Sequence, residues 1–450
     1  MVKFTLQEAA KAVAGTLIGA DSLTDVLSIT TDSRDVPPNS LFVALKGEFF
    51  DGHLFAKSAI ARGAICVLSH EDLEDIPHIK VKDTKHAFLD LAKWYLERFN
   101  VPVIGITGSA GKTTTKDMIG AVLSPKFNVI KTEGSFNNEV GLPLTVFRID
   151  NSTEIAVLEM GMNQFGEIHN LSRVGTPEVC IITNIGDAHI GNLGSREGIL
   201  KAKSEIFDFA DENAIAILNG DDVLLNKIQP NVSKILYFGT RESDFCRFEK
   251  LDDFGLDGTS WKINTDNESF KINISLPGDY LVYNAAAAVT VGIHFSVSGE
   301  EISKAFENFR PSKNRMDIFE LKGVTFINDV YNASPPSMEA MIDSIVSVKG
   351  RKICVFGDML ELGHKSSAYH EEIGKYAALM KIDALFLQGE FCKDYERGFK
   401  GSSDGDVFCF DDVAALTEKL KEHVKSGDTV LIKASRGMKF ERIVEELRRI

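Results

Sequence analysis

The sequence predicts an α/β protein of three domains, and three observations favour this class. The chain has 450 residues, whereas an average domain has about 150. From residue 103 onward, short β-branched runs alternate with segments of helical periodicity, which is typical of parallel strands joined by helical crossovers. Hydrophobic residues make up 44% of the chain and charged residues 26%, so disordered and low-complexity classes are excluded.

The first predicted domain, residues 1–99, is a small module of mixed strands and helices. Its N-terminal apolar residues lie at the spacing of an amphipathic helix: Leu6, Ala10, Val13 and Leu17. Glu8 and Lys11 interrupt this apolar stretch, which argues against a signal peptide. A turn-rich segment follows at 35–40, and a helix is predicted over 88–99 before Asn100 and Pro102 end the domain.

The second predicted domain, residues 100–312, begins with a strand at 103–106, a glycine-rich turn and a helix at 112–123. The remaining predicted elements are strands at 155–158, 179–185 and 214–218, an antiparallel excursion at 233–277, and helices at 197–210 and 283–295. This order predicts a central sheet of mainly parallel strands.

The third predicted domain, residues 313–450, is a second, Rossmann-like sheet of doubly wound type. Its predicted strands are 325–330, 352–356, 384–387 and 429–432. Its predicted helices are 336–346, 368–380, 412–424 and 439–449.

The charge and the cysteines limit the partners and the compartment. With 50 Lys and Arg against 65 Asp and Glu, the net charge is −15, which disfavours nucleic acid and anionic lipid as partners. The six cysteines form no Cys-x-x-Cys pair and are typical of buried thiols in a reducing cytosol. Since no apolar run reaches the roughly 18 residues of a membrane span, we expect a cytoplasmic protein without membrane insertion.

The clearest motif is the glycine-rich loop at 107–114, between a strand and a helix. Backbone N–H groups of such a loop close around phosphates, the lysine supplies a positive charge, and the hydroxyl after it can bind Mg²⁺. Ile106 stands where the usual pattern has its first glycine, so the loop is a variant. The motif predicts ATP or GTP binding through Gly108, Ser109, Ala110, Gly111, Lys112, Thr113 and Thr114.

Polar residues also follow several predicted strands. Glu159, His189 and Asp329 each lie at or just beyond a strand end, where parallel sheets place their ligand crevice. Glu159 is as well explained by an ordinary loop carboxylate as by a Mg²⁺ ligand, and a lone histidine such as His189 is more often structural. Lys203 lies on a predicted helix, and by its pattern alone a solvated surface lysine is the better interpretation.

Taken together, these strings resemble the Mur ligases, in order and over the whole chain. The loop at 107–114 is similar to the family's ATP loop, and 133–143 is similar to its next central signature. The segments 31–34, 41–47 and 51–53 resemble an N-terminal UDP-binding module. The UDP-substrate residues that the resemblance implies are Ser33, Arg34, Lys46, Gly47, His53, Asn137 and Asn138.

The resemblance also implies roles around the nucleotide. It makes Lys112, Lys203 and His189 catalytic residues, with Lys203 carrying a CO₂-derived carbamate. The implied ligands of two Mg²⁺ ions are Thr113, Glu159, His189 and Lys203. ATP would further contact Asn284, Arg315 and Asp329, with Asn284 at the adenine. The segment 331–338 resembles the branch of the family that adds D-alanyl-D-alanine, whose side of the site would hold Tyr331, Asn332, Ser334, Ser435 and Arg436.

The resemblance implies an ATP-dependent amide ligase of cytoplasmic peptidoglycan precursor synthesis. ATP would convert the terminal carboxylate of UDP-N-acetylmuramoyl-tripeptide into an acyl phosphate, and the amine of D-alanyl-D-alanine would then displace phosphate. The expected enzyme is a monomer, and the third residue of the tripeptide, L-lysine or meso-diaminopimelate, stays open. Two rival hypotheses are a kinase that stops at a phosphorylated product and a nucleotide-binding scaffold without turnover.

Overall fold

The computed structural model describes residues 1, 3–312 and 314–449, which form three large β-sheets and a two-stranded ribbon. Lys313 and Ile450, the two ends of the predicted third domain, lie outside the described residues. Helices separate many of the strands within each large sheet, and most neighbouring strands are parallel. The α/β class predicted from the sequence is therefore confirmed.

The N-terminal part contains the ribbon and the first sheet. Its strands are β1 (Phe4–Thr5), β2 (Thr16–Ile18), β3 (Asp25–Val26), β4 (Ser28–Thr30), β5 (Ser40–Val43), β6 (Ala64–Ser69) and β7 (His78–Lys80). Its helices are α1 (Leu6–Ala12), α2 (Ala56–Arg62) and α3 (Thr84–Leu96), and a 3₁₀ turn spans Gly52–Phe55. β1 pairs with β3, and the sheet has the order β2-β7-β6-β5-β4, with β2 antiparallel to β7 and the other neighbours parallel.

The first helix is shorter than its apolar spacing predicts. A capping box between Thr5 and Glu8 begins α1, which ends at Ala12. Leu17 lies in β2 and pairs with Ile79 of β7, so the predicted helix through Leu17 is wrong. A Cβ at Gly15 would lie 2.7 Å from Ile79 Cγ2, which shows how closely the backbone approaches β7 after the helix. Strand pairing, which periodicity in one segment does not reveal, decides this boundary.

The central part forms the largest sheet. Its strands are β8 (Val103–Thr107), β9 (Val129–Lys131), β10 (Ile155–Glu159), β11 (Val179–Ile182), β12 (Ile215–Asn219), β13 (Lys234–Gly239), β14 (Cys246–Asp253), β15 (Thr259–Asn264) and β16 (Ser269–Ile274). Its helices are α4 (Lys112–Leu123), α5 (Gly141–Val146), α6 (Glu167–Gly175), α7 (Ile190–Leu193), α8 (Arg196–Ser204), α9 (Leu281–His294) and α10 (Gly299–Glu307), with 3₁₀ turns at Glu205–Phe207, Leu225–Lys227 and Gly255–Asp257.

The order of this central sheet is β16-β15-β14-β13-β12-β11-β8-β10-β9. Neighbouring strands from β9 across to β14 are parallel, whereas the pairs β14–β15 and β15–β16 are antiparallel. The antiparallel excursion predicted for 233–277 is therefore confirmed for β14 to β16 but wrong for β13, which is parallel to both of its neighbours. β8, which leads into the glycine-rich loop, lies between β10 and β11. The carboxyl ends of these three strands therefore share one edge of the sheet.

The last part forms a sheet in the order β17-β18-β22-β19-β20-β21. Its strands are β17 (Asp317–Leu321), β18 (Val324–Asp329), β19 (Lys352–Gly357), β20 (Ala384–Gln388), β21 (Asp406–Phe410) and β22 (Thr429–Lys433). Its helices are α11 (Pro335–Val346), α12 (Ser366–Leu379), α13 (Cys392–Lys400), α14 (Val413–His423) and α15 (Glu441–Leu447), with 3₁₀ turns at Gly363–Lys365 and Arg436–Met438. The sequence analysis missed β17, α13 and β21. The two missed strands are edge strands and only partly buried, so their apolar signal is weak.

The cysteines are free thiols and most of them are buried, as the sequence predicts. Cys66, Cys180, Cys246, Cys354 and Cys392 are buried, and Cys409 is partly exposed, all as free thiols. Burial raises the pKa of Cys66 and of Cys246 to about 12, which makes these thiols unreactive. In the part of the chain that the structure describes, no helix has the length and apolar character needed to cross a bilayer.

Candidate active site

A cavity of about 920 Å³ opens at the carboxyl edge of the central sheet. Both large α/β parts contribute to its wall, and Lys85 contributes from the N-terminal part. The lining includes most of the residues predicted from the motifs: Ser109, Ala110, Gly111, Lys112, Thr113, Thr114, Asn137, Asn138, Glu159, His189, Asn284, Arg315, Asp329, Tyr331, Asn332 and Ser334.

The glycine-rich loop is packed so tightly that two positions require glycine. Gly108 has φ +150° and Gly111 has φ +81°, which L side chains rarely adopt. A Cβ at Gly108 would collide with Thr183 Oγ1, and one at Gly111 would lie 2.5 Å from Asn284 Nδ2. The loop therefore presents bare backbone at the N-terminus of α4, a geometry that suits phosphate.

Lys112, the first residue of α4, turns back over the loop. Its Nζ donates a hydrogen bond to the Gly108 carbonyl at 2.8 Å. Burial lowers the pKa of Lys112, Glu159 opposes this shift, and Arg315 adds to it. A bound polyphosphate would favour the charged form of Lys112, because the ammonium would then balance the negative charge of the phosphates.

Three side chains from three separate segments meet at one hydroxyl. Thr113 Oγ1 donates to Glu159 Oε2 at 2.8 Å and accepts from Arg315 Nη2 at 2.8 Å. Asn137 Nδ2 donates to the other oxygen, Glu159 Oε1, at 2.8 Å. The Glu159 carboxylate is almost fully buried, and it ends β10 as the sequence predicts.

Lys116 is a residue of this cluster that the sequence analysis missed. It lies one turn after Lys112 on α4, is 1% exposed, and its Nζ is 3.8 Å from Glu159 Oε2 and 3.7 Å from Asp117 Oδ1. Burial lowers the pKa of Lys116, while Asp117 and Glu159 oppose that shift. The spacing of four residues from Lys112 is the only sequence signal for it.

His189 connects the two large α/β parts. It has φ +64° just before α7, and its Nδ1 lies 2.8 Å from Glu361 Oε2, in the loop after β19. This contact lowers the pKa of Glu361. The sequence analysis assigned Glu361 no role.

Lys203 is buried, contrary to the solvated alternative that its sequence pattern favoured. It lies in the last turn of α8, four residues after buried Ile199, and is 2% exposed. Among the described residues, no carboxylate influences the pKa of its amine. Burial, reinforced by the positive charge of Lys112, lowers the pKa of Lys203 well below its usual value. Both effects shift the equilibrium toward the neutral amine.

Two arginines predicted from the third domain lie over one aromatic ring. The Arg315 guanidinium lies 3.7 Å from the centre of the Tyr331 ring, and that of Arg436 lies 5.5 Å from it. Asp329 forms an ion pair with Lys433, whose Nζ also donates to the Asn332 carbonyl at 2.9 Å. Lys433 ends β22 and was missed, although the strand-end rule that found Asp329 applies to it equally.

Two predicted residues are engaged in structural hydrogen bonds. Asn284 Nδ2 donates to the Gly111 carbonyl at 2.9 Å and to Thr115 Oγ1 at 3.0 Å, so it fixes the loop. Ser435 Oγ accepts from the Leu360 backbone N–H at 2.9 Å and does not line the cavity.

The structure divides the predicted UDP-substrate residues into two groups. Asn137 and Asn138 line the cavity, and Asn138 Oδ1 accepts from the backbone N–H of Gly141 at the start of α5. The five N-terminal residues lie outside it: Ser33, Arg34, Lys46, Gly47 and His53. Arg34 pairs with Asp32 at 2.7 Å and Lys46 with Asp51 at 3.1 Å.

One α/β part carries a phosphate-binding loop and a buried carboxylate, and an arginine from the second α/β part reaches the same site. These features define a P-loop nucleotide enzyme whose site is shared between domains. Three sequence-family models match the chain: "Mur ligase family, catalytic domain" at residues 25–97, "Mur ligase middle domain" at 106–292, and "Mur ligase, glutamate ligase domain" at 314–436. The chain belongs to the Mur ligase family. It is accordingly an ATP-dependent amide ligase of peptidoglycan precursor synthesis, as the resemblance implied.

Individual relatives are similar over nearly the whole chain. The UDP-N-acetylmuramoyl-tripeptide–D-alanyl-D-alanine ligase of Bacillus subtilis (strain 168) is 40% identical, with 99% of each chain covered. A crystal structure of MurF from Acinetobacter baumannii is 30% identical, with a TM-score of 0.92 and 100% of each chain covered. MurF from Thermotoga maritima in complex with ADP is 30% identical, with a TM-score of 0.83 over 94% of this chain and 97% of the other.

Proposed function

We propose that this chain joins D-alanyl-D-alanine to UDP-N-acetylmuramoyl-tripeptide and hydrolyses ATP to ADP and phosphate in doing so. The observation that supports this most directly is the meeting of Lys112, Thr113 and Arg315 in a single cavity. The named substrates are those of the full-length relative that is 40% identical. We further propose that the enzyme is a cytoplasmic monomer with domains at 1–99, 100–312 and 313–450.

The chemistry begins with a carboxylate, which is a poor electrophile. Its oxygen attacks the γ-phosphorus of ATP, the bond to the β–γ bridging oxygen breaks, and ADP leaves. The amine nitrogen then attacks the acyl carbon, and the resulting tetrahedral intermediate expels phosphate. Phosphoryl transfer between anions depends on positioning and charge neutralisation, which Lys112 and Arg315 supply from opposite domains.

Mg²⁺ fits the oxygen donors at Thr113 and Glu159. A hydroxyl and a carboxylate are the ligands that this hard cation prefers, and the second lone pair of Thr113 Oγ1 remains available beside Arg315. We propose Thr113, Glu159, His189 and a modified Lys203 as the residues that hold two ions. When bound, Mg²⁺ would neutralise phosphate charge and align the phosphoryl group.

A carbamate on Lys203 is supported by burial of that side chain. Only the neutral amine reacts with CO₂, and the lowered pKa of Lys203 favours this form. Addition of CO₂ forms an N–C bond and releases the amine proton, which turns a group of charge 0 or +1 into one of charge −1. That charge would balance Lys112 and provide oxygen ligands for a cation.

We assign the remaining predicted residues to substrate. The N-terminal group of Ser33, Arg34, Lys46, Gly47 and His53 would bind the UDP end, with Asn137 and Asn138 closer to the reacting peptide. Asn284 would contact the adenine, and Asp329 would join Arg315 at the nucleotide. On the side of D-alanyl-D-alanine we place Tyr331, Asn332, Ser334, Ser435 and Arg436.

The test is ADP release by the full chain in the presence of ATP, Mg²⁺ and UDP-linked tripeptide. We expect release to require D-alanyl-D-alanine, with formation of a UDP-linked pentapeptide detected by mass spectrometry. ADP release without any amine would favour the rival kinase. Equal rates with a single amino acid would assign the chain to another branch of the family.

A further inference from the structure

A second group of side chains, far from the nucleotide loop in sequence, has the composition of a metal site. It consists of His53, His70 and Glu71, in which one ligand atom of each residue lies within 4.8 Å of those of the other two. None of the three lines the active-site cavity. The two imidazole rings are 4.3 Å apart, and their planes meet at 74°.

Both histidines are held through the same ring nitrogen. His53 Nδ1 lies 2.6 Å from Asp51 Oδ1, and His70 Nδ1 lies 2.9 Å from Thr84 Oγ1. With Nδ1–H donating to oxygen, each Nε2 keeps a free lone pair. Histidine ligands of metals are oriented in this way by an oxygen on the opposite nitrogen.

The free nitrogen of His53 is buried. The His53 side chain is 2% exposed, and no hydrogen-bond partner for Nε2 exists among the described residues. A buried polar atom left unpaired is unfavourable, so an occupant that accepts this lone pair would be stabilising. Glu71, by contrast, is exposed and free to turn toward the rings.

The surrounding charges permit a divalent cation. Glu71 and Asp51 are acidic, whereas Lys46 opposes a cation, because it pairs with Asp51 at 3.1 Å and lies close enough to Glu71 for this carboxylate to raise the pKa of Lys46. Without the imidazoles, these two carboxylates and one ammonium carry a net charge of −1. The group is therefore attractive to a cation before any ligand moves.

We infer that His53, His70 and Glu71 form a Zn²⁺ site. Two imidazoles and one carboxylate are a ligand set that suits zinc rather than Mg²⁺. Ligands of tetrahedral zinc lie about 3.3 Å from one another, so atoms now up to 4.8 Å apart need to approach by about 1.5 Å. Rotation of exposed Glu71 provides part of that movement, and water would fill the fourth position.

The ion would join three segments of the N-terminal part. His53 lies in the 3₁₀ turn Gly52–Phe55, His70 and Glu71 follow β6, and Thr84 begins α3. The first of these segments contains His53 and adjoins Lys46 and Gly47, all of which we place at the UDP end of the substrate, so a zinc ion on His53 would stand between this side chain and UDP. Bound zinc would therefore hold that loop against the sheet and stabilise the folded state by mass action.

The test is zinc binding by the full-length protein, stripped with a chelator and then titrated with Zn²⁺ against a chromophoric competitor. We expect one equivalent that Glu71→Gln and His70→Gln each weaken at least tenfold. Co²⁺ in its place should give the visible absorption of a tetrahedral nitrogen and oxygen site, and this absorption should be lost in His70→Gln.

Two matched variants separate this site from others. Glu74→Gln changes an exposed glutamate in the same loop, and Glu159→Gln changes the carboxylate at the nucleotide site. Both should keep the equivalent of zinc and the Co²⁺ spectrum. Absence of a bound equivalent, or loss of it in Glu159→Gln but not in Glu71→Gln, would overturn the inference.

Discussion

Three lysines of the central domain, Lys112, Lys116 and Lys203, are held in protein surroundings that lower the pKa of each. Among the described residues, Glu159 and Asp117 are the groups that oppose these shifts. Such a cluster is unfavourable without anions, and it becomes favourable when polyphosphate and a further negative ligand are present. The lysine cluster therefore lowers the stability of the free protein and favours binding of anionic substrates.

Lys112→Ala should lower kcat about a thousandfold while the fold persists, because a cation on transferring phosphate is worth roughly 10²–10³ in rate. Steady-state ADP release measures the effect, and circular dichroism checks the fold. Lys126→Ala, at an exposed lysine of the same domain, is the control and should keep the parent rate. A Lys112→Ala enzyme within threefold of the parent would contradict our assignment.

Lys203→Ala and Lys203→Arg should both lose turnover, since neither can carry the proposed carbamate and arginine keeps a positive charge. In the parent enzyme, ¹³C-labelled bicarbonate should produce a carbamate carbon signal that both variants lack. An active Lys203→Arg enzyme, or an active parent without the signal, would remove the carbamate from the mechanism.

Lys203→Met should raise the free energy of unfolding of CO₂-free protein at pH 7 by about 1–3 kcal/mol. The unfolded chain binds a proton at Lys203 up to its ordinary pKa near 10.5, whereas the folded chain releases that proton at a lower pH. Stability of the parent therefore rises with pH between the folded and the unfolded pKa, and this slope should shrink in Lys203→Met. Denaturant unfolding at pH 7 and pH 9 measures both effects, and identical slopes would argue against a buried neutral amine.

Strand β8, the glycine-rich loop and helix α4 form one unit, and neighbouring elements pack against its loop. Thr183 follows β11 and packs on Gly108, while Asn284 of α9 packs on Gly111. The loop therefore has its shape before nucleotide binds, which lowers the entropy that binding would otherwise cost.

Gly111→Ala should weaken ATP binding at least tenfold, because alanine is strained at φ +81° and its Cβ would press on Asn284 Nδ2. Isothermal titration with a non-hydrolysable ATP analogue measures the affinity. Gly166→Ala is a matched control, since Gly166 has φ +86° but no atom within 4 Å of the added Cβ, and it lies outside the cavity. Equal affinities in the two variants would show that the loop tolerates a side chain.

At the scale of the whole molecule, the third domain reaches the central one at separate points. Arg315 contacts Thr113, and Glu361 contacts His189. These two contacts are polar, whereas apolar side chains of both domains also share one buried cluster. Polar contacts of this kind are compatible with opening and closing of the domains. We propose that productive catalysis requires both contacts, because they bring polar groups of the two domains to one cavity.

Small-angle scattering should therefore show a smaller radius of gyration when ATP analogue and UDP-linked tripeptide are both bound. Glu361→Gln should shift the free protein toward open forms, since it replaces the carboxylate that faces His189 Nδ1 with a neutral amide of the same shape. Saturating ligands should still compact the variant. An identical radius with and without ligands in the parent enzyme would indicate a preformed site.

The sequence by itself determined the α/β class, the phosphate loop and the polar strand ends, because each is written in short local patterns. Glu159 at the end of β10 and Asp329 at the end of β18 follow from strand periodicity alone. The apolar pattern was too weak to predict the edge strands β17 and β21, which bury little surface. It also predicted too long a first helix, because Leu17 pairs with Ile79 in a sheet instead of continuing the helix.

The burial and the ion-pair partners of the charged residues could be seen only in the folded structure. The pattern around Lys203 favours a surface position, yet packing of α8 buries it without an acidic partner among the described residues. Glu361 and Lys116 are recognised as site residues because they contact His189 and Glu159 respectively. Both partners are distant in sequence, so no local pattern predicts these contacts. The physical reason is that burial and electrostatic pairing depend on what lies across the fold, whereas strand and loop patterns depend on neighbours along the chain.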